Sequence, residues 1–305
     1  MKTFSHKGCV CQRWQRGQST FVACMERGAR LMHWYLDLPW GRRDVIYWPE
    51  DTEMDDLENV PGGNPVLFPF PGRSYVNGER FFWRDTEGVK RPMPLHGLAR
   101  HGRFEVTDAG ADFAEVTFLP DAAARESYAY DYAFCARFAF EELSLGIDLS
   151  LTNKDSRDIP WCAGHHFYFR MPWHNDLSRN DYAIRVRAKK LWHLSAGGKL
   201  VPVTDTAVPV SFGDPIVNDL IYTKLRSNTV SFGPCNGEED ISLIIGEEPV
   251  PDPWTALVTY APNANSPFFC VEPWMGPPNC HEHKNGLRWV APGRTETFSV
   301  RVNLA

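Results

Sequence analysis

The stretch Leu143–Leu151, LSLGIDLSL, alternates apolar and polar side chains. Successive side chains of a β-strand point to opposite faces, so Leu145, Ile147 and Leu149 fall on one face and the polar residues between them fall on the other. The stretch therefore predicts a half-buried strand with one face in a core.

The same alternation recurs along the chain, in the C-terminal FSVRVNL and in the shorter CARFAF, AEVTFLP, YAIRVRA, ISLIIGE and TALVTYA. Turn-forming Gly, Pro, Asn and Asp separate these segments. RDVIYWPED (Arg43–Asp51) predicts an early strand and turn, and the best helical candidate is a short turn or two in GDPIVNDLIYTKL (Gly213–Leu225). We therefore predict an all-β fold, a large antiparallel β-sandwich of two stacked sheets, forming one domain over residues 1–305.

Composition narrows the class of function. The 305 residues are 43% hydrophobic, with no run of 18 apolar residues to span a membrane. The N-terminal MKTFSHKGCVCQRWQRG lacks the apolar core of a secretory signal, so we expect a cytoplasmic protein, monomeric or homodimeric. A net charge of −6 without a basic stripe disfavours nucleic acid and favours a neutral or mildly polar small molecule.

The eight cysteines are dispersed and do not form a dense disulfide framework, so we expect reduced thiols. Cys9 and Cys11 could join Cys280–His283 (CHEH) in a soft metal site, but the paired spacing of structural zinc is absent from the sequence. We predict no metal and no cofactor.

Two glycine-containing clusters interrupt the strand pattern. GGNPVLFPFPGR (Gly62–Arg73) ends in an arginine that can donate a planar fork of hydrogen bonds, although a tight connection with a solvated arginine is the simpler explanation of this segment alone. PLHGLARHGRF (Pro94–Phe104) places His96 beside a glycine that permits close approach to a ligand, and the plain alternative is a surface histidine.

A third cluster, AGHHFYFRMP (Ala163–Pro172), contains two adjacent histidines. On a strand they face opposite sides. His165 shares a face with phenylalanines, which indicates packing, whereas His166 shares a face with Tyr168 and Arg170, which favours a wet or ligand-lined side. Periodicity selects His166, and His165 remains the alternative.

The fourth cluster, SPFFCVEPWMGPPN (Ser266–Asn279), places Glu272 in an otherwise apolar strand end. Burial of a carboxylate is costly unless it is paired or used, and desolvation would raise its pKa toward that of a useful base. Trp274 could supply a flat apolar wall for a sugar ring. The alternative is an edge glutamate in water.

In this order the four clusters resemble the aldose 1-epimerase (galactose mutarotase) family, and in particular its shorter bacterial mutarotase-like branch. The likeness covers about Gly62 to the C-terminus, through NPVLFPFPGR, HGLARHGRFEV, GHHFYF and SPFFCVEPW, and NGLRWVAPGRTETFSV is similar to the closing loop and last strand of the family. The resemblance implies a β-supersandwich that binds a free sugar on its concave face, without metal or cofactor.

The resemblance also implies roles for single residues. His166 would be the general acid that protonates the ring oxygen, and Glu272 the general base that removes the anomeric hydroxyl proton. Arg73 and His96 match substrate-holding positions, and Asp219 in VNDLIY matches a sugar-binding aspartate. Two adjacent histidines depart from the family pattern, so the role of His166 depends on its position two residues before Tyr168.

The chemistry fits this assignment. Opening a hemiacetal removes a proton from one oxygen and delivers a proton to the ring oxygen, so one acid and one base suffice. Glu272 and His166 supply these two roles near neutral pH if Glu272 is a carboxylate and His166 an imidazolium.

Three rival functions remain open. A hexose 6-phosphate epimerase would use Arg73, Arg100 and Arg103 to hold a phosphate. A non-catalytic sugar-binding or sensor protein could share the scaffold, although such a protein needs no acid and base pair. A metal enzyme would use the histidines His165, His166, His281 and His283.

Overall fold

The computed structural model describes residues 1–174, 176–204, 209–237 and 239–305, without the side chain of Glu58. The first fourteen strands, in chain order, are β1 (Lys2–His6), β2 (Cys9–Arg16), β3 (Ser19–Cys24), β4 (Arg30–Leu38), β5 (Gly41–Ile46), β6 (Val66–Leu67), β7 (Tyr75–Val76), β8 (Glu79–Arg80), β9 (Phe82–Arg84), β10 (Lys90–Pro92), β11 (Arg103–Ala109), β12 (Phe113–Leu119), β13 (Tyr132–Phe140) and β14 (Ser144–Asn153). The remaining strands are β15 (Ile159–Trp161), β16 (Gly164–His165), β17 (Phe167–Arg170), β18 (Tyr182–Arg185), β19 (Ala188–Leu194), β20 (Leu200–Val203), β21 (Val210–Ser211), β22 (Leu220–Leu225), β23 (Thr229–Pro234), β24 (Ile241–Ile245), β25 (Ala256–Tyr260), β26 (Phe268–Trp274), β27 (Arg288–Val290) and β28 (Thr295–Leu304).

Helices are short in the described residues. The two α-helices are α1 (Ala122–Ser127) and α2 (Cys280–His283), and the 3-10 turns are Met54–Asn59, Ala99–His101, Arg179–Asp181 and Pro215–Val217. Helix α1 begins after Asp121, whose carboxylate accepts a hydrogen bond from the Ala124 backbone at 2.8 Å. The sequence analysis predicted neither α-helix.

Most strands belong to two antiparallel sheets. The larger, of thirteen strands, runs β1-β2-β3-β4-β5-β17-β26-β25-β22-β19-β20, with β16 paired to β26 and β6 paired to β16. The smaller, of nine strands, runs β11-β12-β13-β14-β28-β24-β23-β18-β21. The prediction of an all-β antiparallel sandwich is confirmed.

The two sheets pack face to face through aromatic pairs. Phe212, which follows β21, stacks on Phe269 of β26 with ring centroids 3.8 Å apart, and Trp14 of β2 stacks on Phe140 of β13 at 4.4 Å. The alternation in β14 acts as predicted, because Leu145, Ile147, Leu149 and Leu151 are buried in this core. One face of the larger sheet is thereby covered, and its other face remains for a site.

The N-terminal region is part of the larger sheet. Strands β1 to β5 occupy one end of it, and β5 lies beside β17. The strand and turn predicted from Arg43–Asp51 match β5, which ends at Ile46.

The helical candidate Gly213–Leu225 is wrong beyond one turn. Pro215–Val217 forms a 3-10 turn, and Leu220–Leu225 is strand β22. Both faces of β22 are covered, since Leu220, Ile221, Tyr222 and Thr223 are all buried. A strand buried on both faces reads as a continuous apolar run that periodicity does not separate from a helix.

No helix among the described residues is long and apolar enough to cross a membrane.

Gly164 leads to a stability prediction. A Cβ atom at this position would lie 2.6 Å from Cδ1 of the Trp274 indole and 3.1 Å from the Pro273 carbonyl oxygen. We expect Gly164→Ala to lower the free energy of unfolding by about 1–3 kcal/mol, because overpacking displaces the indole or the backbone. Urea denaturation measures the change.

Gly197→Ala is the matched control, since a Cβ there meets no atom within 4 Å. Its unfolding free energy should stay within about 0.5 kcal/mol of the original protein. Equal effects of the two substitutions would contradict the close packing of Trp274 on Gly164.

Candidate active site

Strand register places His166 directly across from Glu272. Phe167 pairs with Val271 and Gly164 pairs with Trp274, so the same register puts His166 opposite Glu272. Opposite residues of antiparallel strands have Cβ atoms about 4.5–5.5 Å apart on one face. The observed separation between Nε2 of His166 and Oε1 of Glu272 is 3.4 Å.

The two adjacent histidines face opposite sides of the larger sheet. The His166 ring stacks on Tyr168 with centroids 4.6 Å apart, whereas the His165 ring stacks on Phe167 at 5.2 Å and lies toward the sandwich core. His165 is fully buried and does not reach Glu272, so the structure brings only His166 to the carboxyl group.

Asn64 holds both histidines. Its Oδ1 accepts a hydrogen bond from the His166 backbone N–H at 3.1 Å, and its Nδ2 donates to Nδ1 of His165 at 3.1 Å. Asn64 is itself fully buried and fixed by its own N–H, which donates to the Leu31 carbonyl at 2.7 Å. The asparagine therefore takes the place of a strand neighbour at His166, and the sequence analysis did not single it out within its GGNP segment.

His96 reaches the same site from the loop before β11. Its backbone is left-handed, with φ of 64°, a conformation that a histidine rarely adopts. Two hydrogen bonds with Gly72 hold it, because the His96 N–H donates to the Gly72 carbonyl at 2.8 Å and Nδ1 accepts from the Gly72 N–H at 3.2 Å. Nδ1 is therefore the acceptor, so the neutral ring carries its proton on Nε2. The ring lies 5.1 Å from that of His166.

Charged side chains surround this group. Arg73 is exposed and Arg100 is half-buried. Burial lowers the pKa of His96 most, and the charges of His166, Arg100 and Arg73 lower it further. Asp219 is exposed on the loop before β22, and its negative charge raises the pKa of Glu272 and of Tyr260. Arg103 is exposed, and it is not one of the charges named above that lower the pKa of His96 or His166.

Trp274 is buried rather than open. Only 4% of its surface is exposed, its Nε1 donates to the His165 carbonyl at 3.2 Å, and its ring lies against Gly72 and Gly164. The half-buried aromatic rings around His166 are instead those of Tyr168 and Tyr260, each of which keeps part of its surface exposed.

Burial dominates the protonation of the pair. It raises the pKa of the Glu272 carboxyl well above its ordinary value, with help from the charge of Asp219 and opposition from the Trp274 indole. It lowers the pKa of His166 well below its ordinary value, and the charges of Arg100 and Arg30 add to this. Both directions disfavour the carboxylate and imidazolium that the sequence analysis considered, because the sequence did not show how deeply both groups are buried.

Glu272 is only 1% exposed, which overturns the alternative of an edge glutamate in water. His96 is 8% exposed, which likewise overturns the alternative of a surface histidine.

Potential metal ligands are close together in one place within the described ranges. His166, Cys270 and Glu272 offer ligand atoms within 4.8 Å of one another. The sets considered from the sequence do not assemble: Cys9 and Cys11 pack in a separate apolar cluster, and His281 packs against Phe70 with ring centroids 5.0 Å apart.

Asn64 leads to a second prediction. Asn64→Ala removes both hydrogen bonds and leaves the His166 N–H and His165 Nδ1 buried without that partner. We expect the unfolding free energy to fall by about 1–3 kcal/mol in urea denaturation.

The exposed Asn59, whose amide contacts Asp56 at 2.7 Å, gives the matched control Asn59→Ala, with an expected change within about 0.5 kcal/mol. An Asn64→Ala protein as stable as this control would show that the two histidines do not depend on the amide.

Comparison with known proteins is consistent with this architecture. A family model described as aldose 1-epimerase matches residues 11–232. No curated protein matches the chain by sequence.

Solved structures share the fold at low sequence identity. The Slr1438 protein from Synechocystis sp. PCC 6803 is 18% identical with a TM-score of 0.81, covering 100% of this chain and 99% of that one. A galactose mutarotase-like protein from Clostridium acetobutylicum is 15% identical with a TM-score of 0.82, covering 100% and 98%. A galactose mutarotase related enzyme from Lactobacillus acidophilus is 17% identical with a TM-score of 0.75, covering 97% of each chain.

Proposed function

The chain belongs to the aldose 1-epimerase family, and we propose that it is a mutarotase that interconverts the α and β anomers of an aldohexose. The observation that supports this most is the cross-strand pair of His166 and Glu272, buried and 3.4 Å apart. Acid and base catalysis of ring opening requires two such groups on the same sugar.

The pair is arranged for proton transfer at one carbon. The anomeric hydroxyl oxygen and the ring oxygen are both bonded to C1, so an acid and a base side by side on one sheet face reach both. One group removes the hydroxyl proton while the other protonates the ring oxygen, and the C1–O bond of the ring breaks to give the aldehyde. Rotation about the C1–C2 bond and the reverse transfers close the ring on the other face.

The proton count of the pair stays constant through the cycle. A carboxylate with an imidazolium and a carboxyl group with a neutral imidazole hold the same number of protons. In the first form His166 is the acid and Glu272 the base, as the family resemblance implies. After ring opening the pair is in the second form, toward which burial shifts both pKa values. Both forms are thus states of one reversible cycle.

The surrounding residues would hold the sugar. His96 presents Nε2–H as a donor, and Arg73 and Arg100 supply further donors. Asp219 would accept from sugar hydroxyls. Trp274 supports the wall beneath these groups, while Tyr168 and Tyr260 offer the aromatic surface on which a ring packs.

A sugar phosphate is the second candidate, and Arg73 and Arg100 are the observation that favours it. The charge of Asp219 acts on the same site and would repel a phosphate dianion. We therefore propose a neutral hexose as the substrate.

Activity of single variants tests the pair. Freshly dissolved α-anomers of glucose, galactose and glucose 6-phosphate are followed by polarimetry, with the spontaneous rate subtracted. We expect the neutral sugars to be preferred, and Glu272→Gln and His166→Asn each to lower kcat by about 10²–10⁴, because each removes one proton transfer.

His174→Asn is the control, since His174 contacts Glu239 at 3.0 Å and not the pair, and its activity should be unchanged. If both pair variants interconvert anomers normally while still binding sugar, the protein is a non-catalytic sugar-binding protein. A large preference for glucose 6-phosphate would instead identify the phosphate ester as substrate.

The pH dependence of kcat/KM follows from the same pKa directions. The pair takes up a second proton, on His166, only below the ordinary histidine pKa of 6.5, because the pKa of His166 is lowered. Glu272 releases the single proton of the pair only well above the ordinary carboxyl pKa of 4.5, because its pKa is raised. We therefore expect an acid limb of kcat/KM that begins below pH 6.5. An acid limb centred above pH 6.5 would contradict the proposed burial of the imidazole.

A further inference from the structure

Cys270 is a buried thiol beside the pair that the proposed reaction does not use. It lies two residues before Glu272 on β26, so both side chains point to the same face of the larger sheet. In the register it sits opposite Tyr168 on one side and Tyr260 on the other. It is fully buried, and this burial together with the charge of Glu272 raises the pKa of its thiol.

Two of the three side chains already have the spacing of zinc ligands. Nε2 of His166 and Oε1 of Glu272 are 3.4 Å apart. Zinc bonds of about 2.0–2.2 Å to nitrogen and oxygen in tetrahedral geometry set these ligands about 3.4 Å apart. A ligand atom of each of the three residues, including Cys270, lies within 4.8 Å of the others.

We propose that His166, Cys270 and Glu272 form a three-ligand site for Zn²⁺, and that zinc bound there switches off the acid and base pair. Zinc binding by these three residues does not depend on the proposed mutarotase function, whereas the inhibition rests on that function.

The ligand set selects the class of metal. Sulfur and imidazole ligands suit Zn²⁺ and disfavour Mg²⁺ and Ca²⁺, which prefer all-oxygen sites. Three protein ligands leave a fourth position for a water or a sugar hydroxyl. A second observation points the same way, since Oε2 of Glu272 is buried without a hydrogen-bond partner in the described part of the chain. Zn²⁺ with one thiolate and one carboxylate is formally neutral, which suits a buried site beside arginines.

Inhibition follows from the atoms that zinc would occupy. The Nε2 lone pair and the carboxylate are the groups that exchange protons with the sugar. Ligation displaces the thiol proton of Cys270 and any proton on Glu272 to solvent, because only deprotonated ligands bind the metal. With both groups coordinated, neither accepts a proton from the anomeric hydroxyl nor donates one to the ring oxygen.

Cobalt binding tests the site without reference to activity. The metal-free full-length protein is titrated with Co²⁺, and a thiolate-to-cobalt charge-transfer band in the near ultraviolet reports a cysteine ligand. Zn²⁺ is then added to displace the cobalt, and Mg²⁺ serves as the negative control. We expect the band in the original protein and its loss in Cys270→Ser. The affinity of that variant for zinc should be weaker by at least about 100-fold.

Cys11→Ser is the matched control, because Cys11 lies in a separate group of thiols, 3.9 Å from the Met32 sulfur and packed with Cys9 and Cys24. This variant should keep the band. Loss of the band in Cys11→Ser with retention in Cys270→Ser, or no band in the original protein, would overturn the site.

Anomer interconversion with and without zinc completes the experiment, with each variant serving as its own reference. We expect saturating zinc to lower activity at least tenfold in the original protein and in Cys11→Ser, at concentrations that leave Cys270→Ser unaffected. A protein that binds cobalt through Cys270 yet shows no mutarotase activity would refute the proposed function and leave the metal site standing. Unchanged activity with zinc bound would overturn the inhibition.

Discussion

The site depends on the register of β17 and β16 against β26. Pairing of Phe167 with Val271 and of Gly164 with Trp274 fixes which residues of two distant segments face each other, and it sets His166 against Glu272. Because side chains alternate along a strand, the same register sends His165 into the sandwich core and Cys270 to the side of Glu272. Asn64 then anchors the short interval between β16 and β17, where the His166 N–H has a side-chain rather than a strand partner.

Burial is what gives this pair its chemistry. In water a carboxylate and an imidazole at this spacing would be an ordinary ion pair, whereas here desolvation works against both charges. The nearby arginines oppose the imidazolium further, and Asp219 opposes the carboxylate. All of these effects shift the pair from the charged form toward the neutral form.

The sequence was sufficient for the architecture and for much of the site. Alternation in Leu143–Leu151 and in the last strand predicted a sandwich because a half-buried strand leaves that signature. It failed at Leu220–Leu225, which is buried on both faces, and at the two short α-helices, which are too short to show a period. Alternation also separated His166 from His165. Contacts between segments far apart in the chain determine the positions of Asn64 and Tyr260, the metal-binding potential of Cys270 and the burial of Glu272. Periodicity within one segment carries no such information.

Cross-strand placement also limits how the chain can change in length. Adding or deleting one residue between Gly164 and Arg170, or between Phe268 and Trp274, would turn every later side chain of that strand to the opposite face. His166 or Glu272 would then point into the phenylalanine-rich core, and no local adjustment would restore the pair. Insertions and deletions in functional variants of this sequence should therefore lie in the connecting loops. Recombinant proteins spliced at loop positions should keep His166 opposite Glu272, whereas proteins spliced inside these two strands should lose that pairing.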